Sequence, residues 1–175
     1  AAGDKILALM QSGTYKLYEP DPSTHFDEDL IQLGFFDQRQ PVSAIYYDGE
    51  SKEYMVKRFL IETTDKKTTF ISEHPNSRLE FVSTDTFPRV QLEFGKMGKF
   101  ERNAQEILLE EFIAVKGLKA KGKRLSTHEP KKIIALESLP EPELEEVEEI
   151  ETEETSSDHT PSDKPNVIID LEGDE

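Results

Sequence analysis

Five cations and two glycines fall within nine consecutive residues: Lys116, Lys119, Lys121, Lys123 and Arg124, with Gly117 and Gly122 between them. Closely spaced ammonium and guanidinium groups attract polyanions, and glycine lets a backbone turn and approach a ligand closely. The chemistry this segment offers is therefore phosphate contact, although the same pattern also fits a solvated hairpin loop. If all five cations met phosphates of a DNA duplex, log affinity would fall with log salt at a slope of about −4.5. Binding of that kind reads the backbone rather than the bases and carries little sequence preference.

A second basic group is Lys57-Arg58, followed by Lys66-Lys67, and single cations recur at Arg78, Arg89, Lys96 and Lys99. In strands, alternate cations of this kind line one surface. Base stacking needs exposed aromatics, and the candidates Phe35, Phe36, Tyr46, Tyr47 and Phe100 are assigned to the core. Constellations for catalysis are missing. His25, His74, His128 and His159 are far apart, so no metal-ligand spacing exists. No phosphate-binding Gly-Lys-Ser/Thr loop, nucleophile elbow or dinucleotide fingerprint is present. The paired carboxylates of the C-terminal stretch lie in a charge run that cannot hold an acid and a base in register. Asp21, Asp27, Glu28, Asp29 and Asp37 read as a polar loop.

The elements that must position the basic segment are short. Apolar runs at 6–10, 14–18, 30–35, 42–47, 54–62, 68–72, 79–82 and 90–94 are separated by turn residues, the pattern of an all-β fold. The first two flank Gln11-Ser12-Gly13 and predict a hairpin. From Arg89 to Phe94 apolar residues occupy every second position, which puts Val90, Leu92 and Phe94 on one buried face, with Pro88 at the strand start. Residues 105–115 fit helical spacing through Leu108, Phe112 and Val115 as well as a strand, and their second half is assigned to a strand.

Charge divides the chain in two. Residues 137–175 hold 16 of the 37 acidic residues and, in Lys164, one of the 21 basic ones; residues 1–136 hold 20 basic and 21 acidic. The body is thus nearly neutral, at −1, and the tail carries −15 of the net −16. Beyond Leu139 the sequence is Glu-rich and without aromatics, so it is expected to be disordered, although Leu144, Val147, Ile150 and the run Val167 to Leu171 could dock on a partner. Cysteine is absent, which removes disulfides, thiolate nucleophiles and Cys-based zinc sites. No apolar run approaches the roughly 20 residues of a membrane-spanning helix. The N-terminal residues show no signal sequence, and the chain reads as a fragment of something longer.

Two segments resemble a known family. Asp4 to Tyr15 resembles the strand-turn-strand unit that opens blades in the C-terminal domain of bacterial gyrase and topoisomerase IV A subunits. Glu111 to Leu125, which contains the basic segment, is similar to topoisomerase IV A-subunit sequences of the Bacteroidetes type. The resemblance implies a partial or open β-pinwheel of about three blades over residues 1–136, followed by a disordered acidic tail at 137–175. It implies double-stranded DNA as ligand, bound and bent through Lys116, Lys119, Lys121, Lys123 and Arg124, with Lys57 and Arg58 as weaker candidates. Implied partners are the rest of the A subunit and the ATPase B subunit. Implied cofactors are ATP and magnesium for the parent enzyme and none for this fragment, and the implied location is cytoplasmic, with the nucleoid. The gyrase-type box Gln-Arg-Arg-Gly-Gly-Lys-Gly is absent, which favours topoisomerase IV as the comparison. The family's cleaving tyrosine lies in another domain, so none of Tyr15, Tyr18, Tyr46, Tyr47 or Tyr54 takes that role. The alternative from another class is a propeller-like protein-interaction module whose acidic tail recruits a basic partner.

Overall fold

The computed structural model describes residues 4–141. The expected disorder of the acidic tail falls beyond them. In chain order the strands are β1 (Ile6–Met10), β2 (Thr14–Tyr18), β3 (Leu30–Phe35), β4 (Val42–Asp48), β5 (Glu53–Phe59), β6 (Thr68–Thr69), β7 (Arg78–Ser83), β8 (Arg89–Glu93), β9 (Lys96–Met97), β10 (Phe100–Glu101), β11 (Gln105–Leu108), β12 (Lys123–Arg124) and β13 (Lys132–Leu136). A single helical turn, α1 (Leu109–Phe112), follows β11.

The strands form three antiparallel sheets and one small ribbon. The first sheet has the order β3-β1-β2-β6, the central sheet β12-β5-β4-β7, the third β11-β8-β13, and β9 pairs only with β10. No sheet closes on itself, so the body is an open, all-β, pinwheel-like stack. The first hairpin turns at Gly13, whose φ of +78° belongs to glycine and where a Cβ would collide with Ile71.

Alternation along β4 and β5 explains the stacking. Val42, Ala44 and Tyr46, with Met55 and Phe59, face the first sheet and pack on Leu7, Leu9, Tyr15 and Leu17. Ile45 and Val56 point the other way, into a second cluster with Val90, Leu92, Ile107 and Leu109. The two inner strands of the central sheet, β4 and β5, are buried on both faces, and β4 accordingly reads as a nearly continuous apolar run. Truncating the fully buried Phe59 would cost about 3–5 kcal/mol, the range for large aromatic side chains in close-packed cores.

Three expectations need revision. Residues 105–115 reverse the predicted order: β11 occupies the first half, paired with β8, and the second half is a helical turn followed by irregular backbone. That turn puts Leu109 and Ile113, four apart, into the same core cluster, while the Leu109 amide donates to Pro88 O at 3.1 Å. Phe35 and Phe100 are not core residues; they are 84% and 82% exposed, because each sits on a strand with no sheet beyond it. Tyr46 is buried as expected. Hydrogen bonds also tie residues past Leu136 to the body: Arg89 Nε donates to Glu137 O at 2.8 Å, Ser138 Oγ to Asp85 at 2.6 Å, and Leu139 N to Phe87 O at 3.0 Å.

Candidate nucleic-acid interface

The basic segment lies along the edge of the central sheet, where its last two residues pair with β5 as Lys123 opposite Val56 and Arg124 opposite Met55. Lys116, Lys119, Lys121, Lys123 and Arg124 are all exposed. Their backbone is fixed from below at four points. The Lys116 amide donates to Arg58 O at 2.8 Å, Leu118 is buried in the first core, the Tyr46 hydroxyl donates to Lys121 O at 2.6 Å, and β12 closes the segment. Gly122 has φ +98° and passes so near Val56 O that a Cβ would collide with it. The glycine is needed for the close approach that sequence reading attributed to a ligand; here the neighbour is β5.

Lys57 and Arg58 are inside the protein, 4% and 6% exposed, and are thereby removed from any phosphate-contacting surface. The strand that carries them is covered on both sides, so each faces a core rather than water. Lys57 Nζ donates to Phe70 O and Leu118 O, both at 2.7 Å, and its ammonium sits 5.1 Å from the Phe59 ring centroid. Burial pulls its pKa down to about 8. A neutral amine still has two N–H groups, enough for both carbonyls. Arg58 donates from Nε to Ser43 Oγ at 3.1 Å and from Nη1 to Ile113 O at 3.5 Å. Burial lowers its pKa, partly opposed by the charge of Glu110. Both cations thus brace the exposed segment instead of joining it.

The five exposed cations are not electrostatically equal. Lys121 Nζ lies 3.0 Å from Asp48 Oδ2, a carboxylate with no exposed surface, and Arg124 Nε lies 3.2 Å from Glu53 Oε1. Lys123 rests 4.1 Å from the Phe112 ring centroid and donates to Phe112 O at 3.3 Å. Lys116 and Lys119 have no ion pair among the described residues. Burial would raise the Asp48 pKa, but hydrogen bonds from Ser51, Lys121, the Glu50 amide and Ser72 outweigh it and hold the carboxyl well below the usual carboxylate range. Burial and the Asp48 charge together push the Tyr46 phenol up to about 12. Asp48 escaped sequence reading because a single acid ending a strand looks like a turn residue.

A cleft of about 540 Å³ opens beside the segment, with Tyr46, Lys57, Phe70, Leu118, Lys119 and Lys121 in its wall. Glu50, Glu62 and Glu73 also border it, but no group of three His, Asp or Glu suited to a metal occurs among the described residues. No helix there is long and apolar enough to cross a membrane.

The described residues thus form an open all-β stack with one braced cationic edge. The family model for the topoisomerase C-terminal domain of Bacteroidota matches residues 1–138. The chain belongs to that family. No curated protein and no solved structure gives a match.

Proposed function

We propose that this domain binds duplex DNA and positions it for strand passage by its parent type IIA topoisomerase, through Lys116, Lys119, Lys121, Lys123 and Arg124. The observation that carries the reading is the bracing. A cationic segment tied to the sheet edge at four points loses little conformational freedom when it meets a rigid polyanion. Family membership makes DNA and other topoisomerase subunits the general partners. The finer assignments, a topoisomerase IV parent that uses ATP and magnesium, its ATPase subunit as partner and a nucleoid location, rest on the resemblance of Asp4 to Tyr15 and Glu111 to Leu125.

The ion pairs refine the expected salt dependence. If only Lys116, Lys119 and Lys123 meet phosphates, the slope is about −2.7; if Lys121 and Arg124 leave their carboxylates, it reaches about −4.5. Bending the bound duplex by 40–90° costs on the order of 1–6 kcal/mol, which further phosphate contacts must offset.

The test is a salt titration of DNA retention with the full chain and with Lys116→Gln/Lys119→Gln. The double variant should bind all sequences more weakly and flatten the slope by about 1.8. An unchanged slope would remove the segment from the interface. A protein-interaction module remains the second reading, favoured by the exposed Ile31, Leu33 and Phe35 on edge strand β3. It predicts no DNA retention at moderate salt.

A further inference from the structure

Among the described residues the β9–β10 ribbon pairs with no other strand. Its turn runs through Gly98 at φ +65°, and Phe100 opposes Met97 in the ladder. Phe100 is the unusual residue, because neither core cluster includes it and it is 82% exposed. Cations lie close to it in sequence. Lys96 and Lys99 lie on the same ribbon, and Arg102, just past it, has its guanidinium 5.8 Å from the Phe94 ring centroid. Lys96, Arg102 and Lys131 line a groove of about 520 Å³ beside the ribbon, with His128 and the rings of Tyr54 and Phe94.

None of Lys96, Lys99, Arg102 and Lys131 has an acidic partner within 4.0 Å among the described residues. The acids nearest in sequence are Glu93, Glu101, Glu106 and Glu129; Glu101 opposes Lys96 in the ladder, and Glu106 is taken by Arg89 at 2.8 Å. At the sheet edge, by contrast, two of five cations are already paired with Asp48 and Glu53. Cations flanking a projecting apolar side chain form the arrangement with which proteins hold phosphates while pressing a wedge against a base step.

We propose that the β9–β10 ribbon is a second DNA contact, in which Lys96, Lys99, Arg102 and Lys131 hold phosphates and Phe100 packs into the groove and loosens one base step. The proposal rests on the reading of the domain as a duplex-DNA binder and adds a site 20 residues before the cationic segment, with a different chemistry. The sheet-edge segment offers charge alone; the ribbon adds an apolar contact that high salt does not screen.

The experiment uses the full chain and short duplexes carrying 2-aminopurine at successive positions, whose fluorescence rises when a base unstacks. Wild type should raise the signal at one step. Phe100→Ala should abolish the rise and weaken binding by about tenfold, as expected for the loss of one base contact. Lys96→Gln/Arg102→Gln should flatten the salt slope by about 1.8 while leaving the thermal midpoint unchanged. Phe100→Leu, which keeps the apolar wedge, should retain part of the signal. Binding that responds to Lys116→Gln/Lys119→Gln but not to any ribbon variant would overturn this proposal and leave the sheet-edge reading intact. No DNA retention by wild type would overturn both. Loss of affinity in the Gln variants with no fluorescence change in wild type would overturn the wedge.

Discussion

Lys57 carries an amine into the junction of the first and central sheets, where carbonyls rather than carboxylates receive it. Replacing it with Met would leave Phe70 O and Leu118 O without that donor, at about 1–3 kcal/mol each. The pH dependence follows from the direction of its shift. Its folded pKa of about 8 lies below the ordinary 10.5, so between those values the unfolded chain binds the extra proton and stability rises with pH. The stability of wild type relative to Lys57→Met should therefore grow from pH 8 to pH 10, by up to about 3 kcal/mol, in urea unfolding. Asp48 has the opposite sign. Its folded pKa is depressed, so its contribution is present at neutral pH and fades as pH falls below the ordinary value of 3.8. Asp48→Asn should lower stability by about 1.5–3 kcal/mol at pH 7, the range for a hydrogen bond to a charged group, and by much less at pH 2. The measurement is the same urea titration at both pH values.

At the level of elements, the braced segment is a β edge as much as a loop. Gly122→Ala keeps every charge but places a methyl group against Val56 O in a left-handed backbone region. It should destabilise the domain by more than about 1 kcal/mol and weaken DNA retention, which separates geometry from charge. Edge strand β3 invites another prediction. Ile31, Leu33 and Phe35 are 44%, 46% and 84% exposed on an unpaired edge, the type of surface that templates association. Leu33→Lys should reduce self-association in light scattering with little change in unfolding midpoint.

Most strands were legible because period-2 alternation survives wherever one face is wet, as in Val90 and Leu92 of β8. The runs at 6–10, 14–18 and 30–35 coincide with β1, β2 and β3. What alternation cannot reveal is a strand covered on both sides. Lys57 and Arg58 follow Met55 and Val56 in β5, and only the sheets packed on either face decide that their charged ends stay inside. Two-residue strands such as β12 were equally hidden, since Lys123 and Arg124 owe their extended pairing to β5, far away in sequence. The cations at 116–124 were visible from composition alone. Their hydrogen-bonded bracing was not.

For the whole molecule, the contrast between a nearly neutral body with one cationic edge and a strongly acidic tail is the feature with functional reach. The sequence places 16 of its 37 acidic residues and one of its 21 basic ones at 137–175, and we propose that this acidic stretch competes with DNA for the cationic edge. Truncation after Glu141, which keeps the hydrogen bonds of Glu137, Ser138 and Leu139, should tighten DNA binding most at low salt, as measured by retention of a labelled duplex. Equal affinity with and without the tail would sink the competition idea.

The distance along the chain between the cationic segment and its supports sets an order of assembly. Lys57 and Leu118 are 61 residues apart, and Tyr46 and Lys121 are 75 apart. Closing such contacts comes late, because long loops must be ordered before they are rewarded. While the polypeptide emerges from the ribosome, the edge of the central sheet waits for residues 116–124 to be made. A nascent chain stopped short of them has no braced cationic edge, because β5 still lacks its partner β12.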